Sequence, residues 1–144
     1  MITLTNVQLS EHFHSSEFDC HGDGFDCNCG GCGDQMDIRL IRLLEQLRYN
    51  CGGYPIKINS GYRCPVHNAN VAGHADNSQH KYWRAADLAI PTALSFEEFK
   101  WYVETCKTED GLMFDGIGLY PQGKGYFIHV DIREGGRNGG YYRW

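Results

Sequence analysis

The sequence predicts an α+β fold: a small antiparallel sheet flanked by two or three helices and long loops. Three observations predict it. A broad apolar stripe at helical spacing occupies residues 34–50, and a helix-start signal recurs at Ser95. The candidate strands cluster late in the chain, with helices preceding or interrupting them. The 18 glycines call for loops and close backbone approaches. A length of 144 residues fits one domain, 1–144, large enough to bury a core of its own.

Residues 1–33 are polar and Gly-rich, with an irregular Cys-rich stretch at about 15–33. Asp34 is the expected cap of the first helix. Met36, Ile38, Leu40, Ile41, Leu43, Leu44 and Leu47 form its apolar stripe, and Gly52 and Gly53 stop it. Pro55–Asn59 alternates and reads as a strand. Pro65–Val71 reads as a short helix with proline in its first turn. Ala85–Ile90 reads as a buried strand. Ser95 and Glu98 make a capping box for a helix over Phe96–Thr105. Asp115–Tyr120 and Tyr126–Arg133 read as strands joined by the turn Pro-Gln-Gly-Lys-Gly.

The net charge of -5 argues against a nucleic-acid partner, because phosphate binding needs clustered Lys and Arg. No stretch approaches the roughly 18 apolar residues that span a bilayer. The start, MITLTNVQLSEHF, has no basic n-region and no long apolar h-region, so no signal peptide is expected.

Asp87 sits inside an apolar strand, flanked by Ala85, Ala86, Leu88 and Ile90. A carboxylate there costs several kcal/mol unless it is paired or bound to a metal. Arg63 or Arg84 would serve as a plain partner. His80, seven residues earlier, and His129, on a later apolar strand, open a second possibility. Two His and one Asp beside buried strands match a catalytic zinc site, with three protein ligands and one open position. Alternation places Phe127, His129 and Asp131 on one strand face, with Ile128 and Val130 on the other.

Four of the seven cysteines, Cys20, Cys27, Cys29 and Cys32, lie within thirteen residues. The C-x-x-C spacing from Cys29 to Cys32 suits a second, structural zinc. Reduced thiols, or a disulfide outside the cell, are the alternatives. Cys51, Cys64 and Cys106 are scattered and read as small buried apolar residues. His67 and His74 fall in the loop between Arg63 and His80 and read as surface residues.

Ser60-Gly61-Tyr62-Arg63, Ser78-Gln79-His80, Ala85-Ala86-Asp87 and His129-Val130-Asp131 occur in this order. Together they resemble the zinc D-Ala-D-Ala carboxypeptidase family, which includes phage L-alanyl-D-glutamate endopeptidases. The resemblance runs from about Glu17 to Arg143-Trp144. It implies that His80, Asp87 and His129 bind a catalytic zinc carried by the sheet. It implies that Arg63 holds a substrate carboxylate or carbonyl oxygen, and that Ser78 and Gln79 line the site. It also implies hydrolysis of peptidoglycan stem peptides or cross-links, at a D,D bond or the L-Ala-D-Glu bond. Several family members carry Asp or Glu three residues before the last histidine as general base. Here that position is Tyr126. Asp131 is the nearest replacement, either as the base or as a group that orients a ligand.

Family analogy suits a phage or prophage lysis enzyme, cytoplasmic as made and released to the cell wall. The rival reading is a catalytically weak or inactive zinc-containing module that binds cell-wall peptides. A third is a cytosolic structural zinc protein built on the cysteine cluster.

Overall fold

The structure, a computed structural model, describes residues 7–20, 32–63, 78–121 and 126–133, and the backbone of 142–143. Helix α1 (Ile38–Asn50) buries Leu40, Ile41, Leu43, Leu44 and Leu47 along one stripe, while Ile38 stays 57% exposed. Its cap is Asp37 rather than Asp34: Asp37 Oδ1 accepts the Arg39 N–H at 2.9 Å. Asp34 instead belongs to a separate 3-10 turn, Gly33–Gln35, and the extended Met36 divides the two. A capping residue must hold extended backbone angles directly before the first helical residue, and Asp37 is the one that does. The Arg39 side chain, bonded to Asp37, also holds the Asp37 carboxyl below its usual range. Asp37→Ala should therefore lower stability by about 1 kcal/mol. A shifted denaturant midpoint with unchanged slope would show it.

Helix α2 (Phe96–Thr105) starts at the expected capping box, with Glu98 N–H bonded to Ser95 Oγ at 3.1 Å and Ser95 N–H to Glu98 Oε1 at 3.0 Å. It buries Phe99 and Val103. The sheet has the order β1-β2-β4-β3-β5, from β1 (Ile58–Ser60), β2 (Ala85–Ala89), β3 (Gly116–Tyr120), β4 (Phe127–Asp131) and β5 (Tyr142–Arg143). The first four run antiparallel, and β5 adds a parallel edge on β3. The strand expected at Pro55–Asn59 is shorter and later, because the pairing to β2 shifts register between Ile58 and Ser60. That irregularity sets Ile58 opposite Leu88 and Ser60 opposite Asp87.

Register divides the sheet into two faces. Ala86, Leu88, Ile117, Ile128 and Val130 join α1 and α2 in the core. The opposite face carries the rows Ala85–Asp131–Gly116, Asp87–His129–Gly118 and Ala89–Phe127–Tyr120. The polar residues thus occupy the face the core does not use. The expected helix at Pro65–Val71, the turn residues 122–125, and Cys64, His67 and His74 lie outside the described residues. Cys51 and Cys106 are buried as expected, and burial pushes the Cys106 thiol up to about 12. No helix is long and apolar enough to cross a membrane among the described residues.

Candidate metal centre

His80 lies in a 3-10 turn, Gln79–Tyr82, that precedes β2. The Ser78 hydroxyl caps this turn by accepting the His80 N–H. Gln79 Oε1 accepts from Arg84 Nε at 2.7 Å, and the Arg84 guanidinium lies over the Tyr82 ring. His80 is 1% exposed, and its Nδ1 lies 2.6 Å from the Gly61 carbonyl oxygen. A carbonyl only accepts, so Nδ1 carries the proton and Nε2 presents its lone pair. Gly61 is required there, since a Cβ would stand 2.6 Å from the Phe18 Cα.

The Nε2 atom of His80 faces Asp87 Oδ1 at 3.2 Å, and His129 Nδ1 faces the same oxygen at 3.0 Å. One donor atom from each of the three residues lies within 4.8 Å of the others. Ligand atoms about 2 Å from a tetrahedral ion stand roughly 3.3 Å apart, so this donor set fits zinc closely. The partners of Asp87 are thus the two histidines, which settles the choice left open between them and an arginine. Arg63 is tied to the same turn by its N–H, which donates to the His80 carbonyl at 3.0 Å.

His129 is held from behind. Its Nε2 contacts Asp131 Oδ2 at 2.8 Å. Asp131 is fully buried, and Arg133 grips it through Nε at 2.9 Å and a terminal nitrogen at 2.6 Å. Sequence reasoning missed Arg133. A carboxylate in an apolar strand demands a partner, and an arginine two residues on in extended chain shares its face. Applied to Asp131 as it was to Asp87, the same rule finds it. Gly116 makes the room: a Cβ there would lie 2.5 Å from both Asp131 oxygens.

Charge follows this geometry. Burial works against the Asp87 carboxylate, but the neighbouring His80 and His129 outweigh it, keeping Asp87 far below its ordinary range. Burial pushes His80 down, so its imidazole is neutral and ready to ligate. Burial also opposes charge on His129, yet the bonds to Asp131 and Asp87 prevail and raise it. In the metal-free protein the shared proton therefore rests on His129, and a metal must displace it. Zinc affinity should rise with pH up to the raised value of His129 and level off above it. Calorimetric zinc titrations in buffers of different ionisation enthalpy should show about one proton released below that plateau. A pH-independent affinity would contradict the assignment.

The described residues include the two ends of the cysteine segment. The Gly33 N–H donates to Asp19 Oδ1 at 2.8 Å, and the Trp83 indole donates to the Cys32 carbonyl at 3.1 Å. Cys20 is buried, and Cys32 holds left-handed backbone with φ 63°. Cys27 and Cys29 lie outside the described residues. Elsewhere, a groove of about 1050 Å³ follows the outer side of α1, past Glu45 and Tyr49. None of the three donors lines it.

The peptidase M15 family model matches residues 11–131. The chain belongs to that family. The matched span of this M15 member holds His80, Asp87 and His129, together with Arg63, Ser78, Gln79 and Asp131. The chain is also similar to the Zinc D-Ala-D-Ala carboxypeptidase of Streptomyces albus G, with 47% identity over 70 residues. That stretch covers 43% of the M15 chain and 27% of the relative's length. The expectation of a zinc peptidase is met at the level of the family.

Proposed function

We propose that this M15 member is a zinc-dependent peptidase of peptidoglycan stem peptides or cross-links. One observation carries the reading. Two imidazoles, each with its second nitrogen engaged elsewhere, and one ionised carboxylate turn their remaining donors toward a common point. Zinc held there supplies Lewis acidity to a substrate carbonyl and to a water.

The chain's own residues do the rest. Gly61 and Asp131 fix which nitrogen each histidine presents, and Arg133 keeps Asp131 ionised and in place. The two imidazole nitrogens point away from each other, so Asp131 sits on the side of His129 opposite Asp87. This favours positioning over general base among its two expected roles. Arg63, anchored beside His80, is the proposed partner of a substrate carboxylate or carbonyl. Ser78 and Gln79, directly before His80 in the same turn, are the proposed lining of the site. The choice between D,D cleavage and the L-Ala-D-Glu bond belongs to pocket shape rather than to the donors. Release to the wall in phage lysis is part of the proposal and rests on family resemblance.

The test is metal analysis with turnover of purified peptidoglycan. One zinc per catalytic centre and chelator-sensitive release of peptide fragments are expected. Zinc retention without turnover would favour the binding module instead. A second, structural metal or a disulfide among Cys20, Cys27, Cys29 and Cys32 is proposed too, because the Asp19–Gly33 bond draws the two ends of that segment together. Thiol titration of the native protein checks it, and four freely reactive thiols there would dismiss it.

A further inference from the structure

The turn that carries His80 ends on Trp83, which holds left-handed backbone with φ 59° and ψ 26°. That conformation is cheap for glycine and costly for a bulky side chain. A residue stays there only where its surroundings over-determine it, and such positions cluster at functional sites. Three contacts hold Trp83. Its ring stacks on Tyr62 at 4.5 Å between centroids and 3° between planes. Its indole donates to the Cys32 carbonyl at 3.1 Å, and its own carbonyl accepts the Asp37 N–H at 2.8 Å.

Tyr62 stands between the two groups that grip His80. On one side the Gly61 carbonyl accepts the His80 Nδ1–H at 2.6 Å. On the other the Arg63 N–H donates to the His80 carbonyl at 3.0 Å. Tyr62 is buried, and its own N–H donates to the Phe18 carbonyl at 2.8 Å. The Tyr62–Trp83 stack is therefore a third tie between the Ser60–Arg63 segment and the His80 turn, made ring to ring.

We propose that Trp83 is a positioning residue for the metal centre: by stacking on Tyr62 it holds the Gly61 carbonyl against His80 and so fixes the imidazole for ligation. This rests on the metal centre described above and adds to it a residue that touches none of the three donors' ligating atoms. Groups that orient a ligand are worth roughly ten- to a hundredfold in metal affinity. Trp83 acts one step further back, through Tyr62 and Gly61, so the lower end of that range is expected.

The experiment compares the full chain with Trp83→Gly and Trp83→Phe. Glycine suits the backbone but removes the ring, and phenylalanine keeps a ring that can stack. Two quantities are read: zinc affinity by competition with a chromophoric chelator, and solvent exchange of the His80 Nδ1 proton by NMR in the metal-free protein. Trp83→Gly should bind zinc about tenfold more weakly. Its His80 Nδ1 proton should exchange about tenfold faster, because the bond to Gly61 opens more often. Trp83→Phe should stay within about twofold of wild type in both. Circular dichroism at the titration temperature checks that each variant is folded. Trp83→Asn, which also tolerates left-handed backbone, replaces Trp83→Gly should the latter not fold. Affinity and exchange unchanged in Trp83→Gly overturn the proposal and leave Trp83 as the end of a turn, with the metal centre standing. Equal losses in Trp83→Phe and Trp83→Gly overturn it too, since the stack would not be what positions His80. Wild-type protein that binds no zinc overturns the metal centre and this proposal with it.

Discussion

Asp87→Ala should remove zinc from the protein and abolish hydrolysis. Asp87 supplies the one anionic donor, and both imidazoles converge on its Oδ1. Zinc at about a thousandfold above its dissociation constant stabilises a protein by roughly 4 kcal/mol, because it binds only the folded state. For a chain of this size that corresponds to a melting temperature higher by on the order of 10 °C. Wild-type protein should show this rise on zinc addition and lose it to a chelator. The variant should show almost none, and should elute without zinc from a desalting column. A variant that kept one zinc and its thermal response would remove Asp87 from the donor set.

Asp131→Asn should act differently. It leaves the three donors in place but weakens what orients His129. Zinc affinity should fall by roughly ten- to a hundredfold, and excess zinc should restore much of the turnover. If turnover disappeared with zinc at full occupancy, Asp131 would be the base and the positioning reading would fail. The same residue predicts an acid response. Burial opposes its charge, but Arg133 and then His129 hold the carboxyl down to about 2. Its folded value lies below the unfolded value near 3.9, so its contribution is present above that value. It amounts to about 2 kcal/mol and is lost as pH falls from about 4 to 2. Acid unfolding of metal-free wild type should be steeper across that window than that of Asp131→Asn.

Much of this centre was legible because burial makes charge conspicuous. Asp87 stands out in Ala-Ala-Asp-Leu-Ala, and only a few side chains can answer it. Helix α2 was legible because Ser95 and Glu98 signal one another locally. Asp34 misled because Asp34 and Asp37 are equally good caps by composition, and the intervening turn is set by contacts around Gly33 and Trp83. The Tyr120–Phe127 stack was hidden for a related reason. Alternation puts Phe127 on the right face, but only the register between β3 and β4 brings Tyr120 over it. The two-residue strand β5 carries no period of its own, and its place beside β3 is a purely tertiary fact.

Gly116 has no side chain, yet it limits what the metal centre can become. The carboxylate oxygens of Asp131 lie where its Cβ would be. The two positions are therefore one variable. Gly116→Ala alone overpacks a closed site, at about 1–3 kcal/mol, and pushes the carboxylate against His129. Shortening residue 131 to serine opens that volume, so the double variant should recover part of the lost stability while zinc binding stays weak. Anyone redesigning this scaffold for another metal must choose residues 116 and 131 together, and a library that varies only the three donors will sample a narrower range of imidazole orientations than its size suggests.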